Sequence, residues 1–143
     1  MSQRFENFVG LISAINKEVT RIKTDEMRRY GLHGTDGIAL YYLQKEPAGV
    51  TSAQLARMMS VDRAVVSRSI SRLSSGGFVT VDPVGGARGG KPILLTDKGD
   101  QVIQECDDFL GNVVKSAGKG LDFETRDAMY FALSIINKNL SHI

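Results

Sequence analysis

Near the start of the chain, six apolar side chains are spaced alternately three and four residues apart, and this regularity constrains the fold most. They are Phe5, Phe8, Ile12, Ile15, Val19 and Ile22. A mean spacing of about 3.5 residues places them along one seam of a long helix. We therefore predict a helix over residues 3–29, with Gly31 as its C-cap residue. Because such a seam is too apolar to face water, it must pack against another surface, and a second subunit is the simplest partner.

Three shorter helices are predicted next from their capping residues and from the residues that end them. Thr35 or Asp36 caps the first, and Thr51 with Ser52 caps the second, which breaks at Ser60. The third ends at a pair of glycines. These helices cover residues 35–45, 53–59 and 62–75.

A β-hairpin and two long helices complete the predicted elements. Strands at residues 78–81 and 93–95 flank a connection whose residues 82–90 contain four glycines and one proline, which indicates a long tip. Thr96 and Asp122 cap the final helices, which run to about residues 119 and 140. We therefore predict a mainly α fold of the α+β type, in which a winged helix-turn-helix lies between long N- and C-terminal helices.

The third short helix has one face suited to duplex DNA. At about 100° per residue, Val66, Ile70 and Leu73 form a narrow core stripe. The opposite face carries small or cationic residues, namely Ala64, Ser67, Arg68, Ser71 and Ser75, and Arg63 lies near the helix start, where recognition helices meet base edges. Small residues let the backbone approach, hydroxyls bond bases or phosphates, and arginine reads guanine through two parallel hydrogen bonds. We predict that this helix enters a major groove, with Arg72 at the edge of the face and directed to a phosphate; the alternative is an ordinary serine-rich exposed helix.

The distribution of charge along the chain also favours binding to DNA. The net charge is +1 over residues 1–50, +4 over residues 51–98 and −3 over residues 99–143. A basic middle segment predicts a local surface for a polyanion. Thr51 and Ser52 are also predicted to contact DNA, and Arg88 and Lys91 of the hairpin tip are predicted to approach the minor groove or the phosphates.

The hairpin tip also matches the spacing of a phosphate-binding loop, but its context excludes a nucleotide site. Residues 85–91 fit the pattern G-x-x-x-x-G-K, and Pro92 stands where the magnesium-binding hydroxyl is needed. The residues that follow are typical of a strand, whereas a phosphate loop needs a helix N-terminus. We therefore interpret the hairpin tip as the mobile wing of a winged helix-turn-helix and not as a phosphate-binding loop.

The remaining composition is that of a cytoplasmic binding protein without a cofactor. We find no signal peptide and no apolar run of membrane length. The single Cys106 excludes an internal disulfide, and it lies in an apolar helical stripe, where a thiol behaves as a small hydrophobe. His33 and His142 lack metal-ligand spacing, so no metal site is expected. No cluster of nucleophile, base and orienting group appears, and we therefore expect no enzyme activity.

Several short motifs complete the sequence evidence: Gly31-Leu32, residues 51–56, residues 65–68, Arg72-Leu73, Gly77-Phe78-Val79, Asp82-Pro83 and residues 95–99. With the order of elements, they resemble the MarR family of bacterial transcription regulators over nearly the whole chain. The resemblance implies a dimer joined by the first and the last two helices, pseudo-palindromic operators and, often, release by a small ligand. The wing departs from the family pattern, because Ala87-Arg88-Gly89 stands where an Asp-Arg-Arg-like tip is usual.

We therefore predict one domain, residues 1–143, that acts as a homodimeric, sequence-specific repressor on double-stranded DNA and responds to a small-molecule effector. Its DNA-binding region covers residues 32–98, and residues 1–30 and 99–143 form the dimerisation helices. His33, Tyr41 and Tyr42 are predicted to border the effector pocket, although core packing is the alternative for at least one tyrosine. The competing hypothesis is a protein-interaction module that uses a winged helix without binding specific DNA.

Overall fold

The computed structural model describes residues 2–82 and 90–143, and these ranges contain six helices and one two-stranded sheet. The helices are α1 (Gln3–Arg28), α2 (Gly34–Gln44), α3 (Ser52–Met59), α4 (Arg63–Ser75), α5 (Asp97–Ala117) and α6 (Phe123–Leu140). The antiparallel strands are β1 (Val79–Val81) and β2 (Ile93–Leu95), with Val79 opposite Leu95. The predicted mainly α fold with a winged helix-turn-helix is confirmed.

Capping side chains set where the helices begin. Thr51 caps α3 and Asp122 caps α6 as predicted, since each side-chain oxygen accepts a hydrogen bond from the amide three residues later. Helix α2 begins earlier than predicted, because its N-cap is His33. Asp36, one of the two predicted caps, is instead the third residue of the helix, and its carboxylate accepts a hydrogen bond of 2.8 Å from the amide of His33.

The chain divides into two compact units after Cys106. In the first unit, α2, α3, α4, the sheet and the beginning of α5 contribute to one hydrophobic core. Its fully buried apolar side chains include Leu40, Leu43, Leu55, Val66, Leu73, Val79 and Ile93. Cys106 is buried at the edge of this core, as the sequence predicts.

Glycine is required where α5 begins beside β1. Gly99 is buried in the first turn of α5, and a Cβ atom there would collide with the carbonyl oxygen of Phe78. The hydroxyl of Thr96 accepts a 3.1 Å hydrogen bond from the amide of Gly99 and donates one of 2.7 Å to the carbonyl of Gly77. The end of α4, the start of β1 and the start of α5 are thereby fixed together.

The apolar side chains of α1 and α6 remain largely uncovered. In the predicted seam of α1, Phe5, Ile12, Ile15 and Val19 are all exposed. Helix α6 buries no residue, and its exposed side chains include Phe131. Within the described ranges, no helix is long and apolar enough to cross a membrane.

Candidate nucleic-acid interface

A tight turn joins α3 to α4. Ser60, the C-cap of α3, adopts a left-handed conformation with φ of 55°, which is uncommon for a residue that carries a Cβ atom. The amide of Val61 donates a 3.1 Å hydrogen bond to the carbonyl of Ala56, which closes the turn. Because the turn is this short, the start of α4 is fixed relative to α3, as a helix-turn-helix requires.

Helix α4 presents one exposed face that holds no acidic and no large apolar side chain. The exposed residues of α4 are Arg63, Ala64, Ser67, Arg68, Ser71, Ser74 and Ser75. On the opposite face, Val66, Ile70 and Leu73 are buried, which confirms the predicted core stripe. The predicted DNA-reading residues therefore share one accessible surface, although their contact with DNA stays a prediction.

The C-terminal end of α4 is held by the segment that follows the wing. The ammonium group of Lys98 donates a 2.6 Å hydrogen bond to the carbonyl of Gly76, at the C-cap of α4. The same group lies 4.5 Å from the centre of the Phe78 ring. A cation at this end also interacts favourably with the helix dipole.

The other predicted DNA contacts lie outside α4. Thr51 and Ser52 are half-buried at the N-terminus of α3, where the Thr51 hydroxyl accepts a 3.2 Å hydrogen bond from the amide of Gln54. Lys91 is exposed just before β2, and Arg88 lies outside the described residues. A helix N-terminus and exposed cations suit phosphate groups, so these positions are compatible with the prediction.

Arg72 has a partner that the sequence did not indicate. Its guanidinium group forms two hydrogen bonds with the carboxylate of Asp36, of 3.0 Å from Nε and 2.9 Å from one terminal nitrogen. Asp36 is fully buried, and its carboxylate also accepts hydrogen bonds from the Ser69 hydroxyl at 2.5 Å and from the His33 amide. The predicted contact of Arg72 with a phosphate is untested, but two of its three guanidinium nitrogens are already hydrogen-bonded to Asp36.

This cluster keeps a buried carboxylate ionised. Burial by itself would raise the pKa of Asp36, but hydrogen bonds from Arg72, from Ser69 and from the His33 amide together lower it. The hydrogen bond to Asp36 in turn raises the pKa of the Arg72 guanidinium. The two side chains therefore form a charged pair at neutral pH.

The residues predicted to border an effector pocket are only partly brought together. An open pocket of about 440 Å³ lies at the junction of α1 and α2 and is lined by Thr24, Arg28, Gly31, Leu32, His33 and Gly34. Tyr41 and Tyr42 are not part of this lining. The Tyr41 ring is exposed and lies beneath the ammonium group of Lys45 at 4.2 Å, whereas Tyr42 packs against the core. Core packing was the alternative interpretation for one tyrosine, and it holds for Tyr42.

Over residues 2–82 and 90–143, no three His, Cys, Asp or Glu side chains are grouped so that they could hold a metal ion. The strongest cluster of polar side chains is the one around Asp36, and its donors and acceptors are matched to one another.

Comparison with known proteins supports the fold, and a family model matches part of the chain. The sequence model of the MarR family matches residues 30–89. A MarR family protein from Bacillus stearothermophilus superposes with a TM-score of 0.83 at 16% identity, and the match covers 99% of both chains. MepR, a transcription regulator of the Staphylococcus aureus multidrug efflux pump MepA, gives 0.80 at 17% identity over 98% of this chain and 99% of its own. A MarR transcriptional regulator from Methanosarcina mazei Go1 gives 0.77 at 18% identity over 100% of this chain and 94% of its own. Residues 30–89 therefore match the MarR family in sequence, and nearly the whole chain has the fold of MarR-family proteins.

Proposed function

We propose that this protein is a sequence-specific regulator of transcription that binds double-stranded DNA through α4. The observation that carries the proposal is the exposed face of α4, where Arg63 and Arg68 stand among small and hydroxyl side chains. Such a face can approach the floor of a major groove, and each arginine can form two hydrogen bonds with a guanine edge. The buried stripe behind this face and the fixed turn at Ser60 hold the helix in one orientation.

The proposed active form is a homodimer. The exposed apolar side chains of α1 and α6, among them Ile15 at 58% and Phe131 at 68% exposure, are costly in water unless another surface covers them. A two-fold axis would present two α4 helices to successive major grooves, about 10 bp apart, and would match a pseudo-palindromic operator. Repression is the simplest consequence, because a bound dimer blocks other proteins from the same duplex.

We further propose that a small molecule controls binding through the pocket beside His33. Its volume of about 440 Å³ lies within the range of about 300–1,000 Å³ that is typical of small-molecule sites. His33 is also the N-cap of α2, whose third residue, Asp36, pairs with α4 through Arg72. An occupant of the pocket would therefore lie close to the contact between α2 and the proposed DNA-reading helix.

The test begins with a pool of random duplexes of about two helical turns, the length that two half-sites span. Repeated selection with the wild-type protein should enrich one pseudo-palindromic sequence. Changing Arg63→Ala or Arg68→Ala should weaken binding to that selected duplex by about 1–3 kcal/mol, which corresponds to roughly 5- to 150-fold, and should relax the preference at one position per half-site.

Lys17→Ala is the matched control, because it removes one positive charge from α1 and leaves α4 unchanged. It should leave the sequence preference intact. If the wild-type protein enriches no sequence, or if both folded arginine variants keep full affinity and discrimination, α4 does not read DNA. The protein-interaction module would then be the better account.

A further inference from the structure

A buried carboxylate on α2 holds two neighbouring turns of α4. Asp36 has no exposed surface and accepts hydrogen bonds from Ser69 and from Arg72, which lie three residues apart on one side of α4. The amide of His33 completes the set of donors. Four hydrogen bonds therefore converge on one side chain, and three of them come from α4.

The geometry of this cluster defines the rotation of α4 about its own axis. At about 100° per residue, Ser69 and Arg72 lie on the same side of the core stripe formed by Val66, Ile70 and Leu73. An apolar stripe alone tolerates small rotations, because packing contacts have no fixed direction. Hydrogen bonds to a planar carboxylate do have preferred directions, so the cluster adds an orientation that the apolar contacts do not specify.

The same contacts assign Arg72 to the scaffold. Its side chain is 32% exposed, and its Nε and one terminal nitrogen are bonded to Asp36. A guanidinium group whose charge is neutralised by a buried carboxylate would have to give up that pair to bind a phosphate, which would leave Asp36 buried with its charge uncompensated.

We propose that Asp36 is a positioning residue for DNA recognition, which acts through Ser69 and Arg72 to set the orientation of α4 in the groove. The proposal rests on the proposed function, since it concerns how α4 reads DNA. It assigns Arg72 to the internal pair with Asp36 and not to the DNA backbone. Loss of the cluster should therefore lower sequence discrimination while the number of phosphate contacts stays the same.

The experiment compares the affinity for the selected duplex with that for the pooled random duplexes, over a salt series, on variants whose folding is checked by circular dichroism. Asp36→Asn and Arg72→Gln should reduce the ratio of the two affinities by about tenfold, the size of one incorrectly read base pair. Arg72→Lys, which keeps a cation beside Asp36, should restore part of the ratio. The salt slope of Arg72→Gln on random duplex should equal that of the wild type, whereas a lost phosphate contact would flatten it by about 0.9 per subunit, or about 1.8 for a homodimer.

Ser69→Ala provides the same test if the charge variants do not fold, because it removes only one of the four hydrogen bonds to Asp36 and no charge. It should lower the ratio in the same direction by a smaller factor. Asp25→Asn is the matched control, since it removes the same charge from an exposed ion pair on α1.

An unchanged affinity ratio in folded Asp36→Asn or Ser69→Ala would overturn the proposal, and so would a flattened salt slope in Arg72→Gln. Failure of the proposed function is distinguishable, because in that case the wild-type protein itself would show no discrimination between the two duplexes.

Discussion

Removing the cation that pairs with Asp36 should destabilise the folded state by about 2–4 kcal/mol at neutral pH. Breaking a buried ion pair by deleting one partner costs about 3–5 kcal/mol. The Arg72 side chain is 32% exposed, so water replaces part of the lost interaction, and we lower the expected cost of Arg72→Met accordingly. The loss is a large share of the roughly 5–15 kcal/mol by which a domain is stable.

The pH dependence of this loss identifies its cause. In the wild type, the pKa of Asp36 is lowered, so its contribution is complete above the unfolded-state pKa of about 3.9 and is lost as the pH falls through the lower native pKa. In Arg72→Met, burial is opposed by fewer hydrogen bonds, so the pKa of Asp36 should lie above its wild-type value. Its carboxyl group then takes up a proton as the pH falls, and the difference in stability between variant and wild type narrows.

Urea unfolding followed by circular dichroism, at about pH 7 and about pH 4.5, measures the loss of stability in Arg72→Met and how that loss changes with pH. Protein concentration is kept constant, because dimerisation adds to the apparent stability. Asp36→Asn combined with Arg72→Met is the matched control, and it should recover more than half of the loss, since no buried charge remains. A loss below about 0.5 kcal/mol at about pH 7 would refute the assignment of a buried, ionised pair.

Three further predictions concern packing and assembly. Ile70→Ala should lower the free energy of unfolding in urea by about 2–4 kcal/mol, while the folded fraction keeps its DNA affinity. A loss of binding free energy as large as this loss of stability would mean that the core stripe does more than support α4. Gly99→Ala should lower the midpoint of thermal unfolding by the equivalent of about 1–3 kcal/mol, because its methyl group collides with the Phe78 carbonyl; an unchanged midpoint would contradict that close contact. Phe131→Glu should convert a homodimer into a folded monomer in light scattering at micromolar concentration, since Phe131 is 68% exposed, and a retained dimer would place the interface elsewhere.

Much of the architecture could be predicted because it follows from local regularities. The core stripe of α4 has helical spacing, and Thr51 and Asp122 are favoured capping residues, so these features are visible within one or two helical turns of sequence. The exposed face of α4 follows from the same periodicity, since the residues opposite a buried stripe are accessible by geometry. All six helices begin and end within two residues of the predicted positions for this reason.

The Asp36 cluster could not be predicted in the same way. Ser69 and Arg72 are 33 and 36 residues from Asp36 in sequence, and no periodic pattern relates one polar side chain to another over such a separation. Asp36 instead looked like a helix cap, which is where aspartate is common. The effector prediction stays a prediction, although Tyr41 and Tyr42 lie in the last turn of α2 and do not line the pocket beside His33.

Gly99 also limits how far the sequence of a chain with this fold can change. The three structures compared above share this fold at 16–18% identity, so most positions accept many residues. At Gly99 the carbonyl of Phe78 occupies the place of a side chain, and any other residue requires the backbone of β1 or α5 to move. A related chain that carries a larger residue here must hold β1 and the start of α5 further apart. Substitutions at this position therefore report shifts between the wing strand and α5 that sequence identity alone would not reveal.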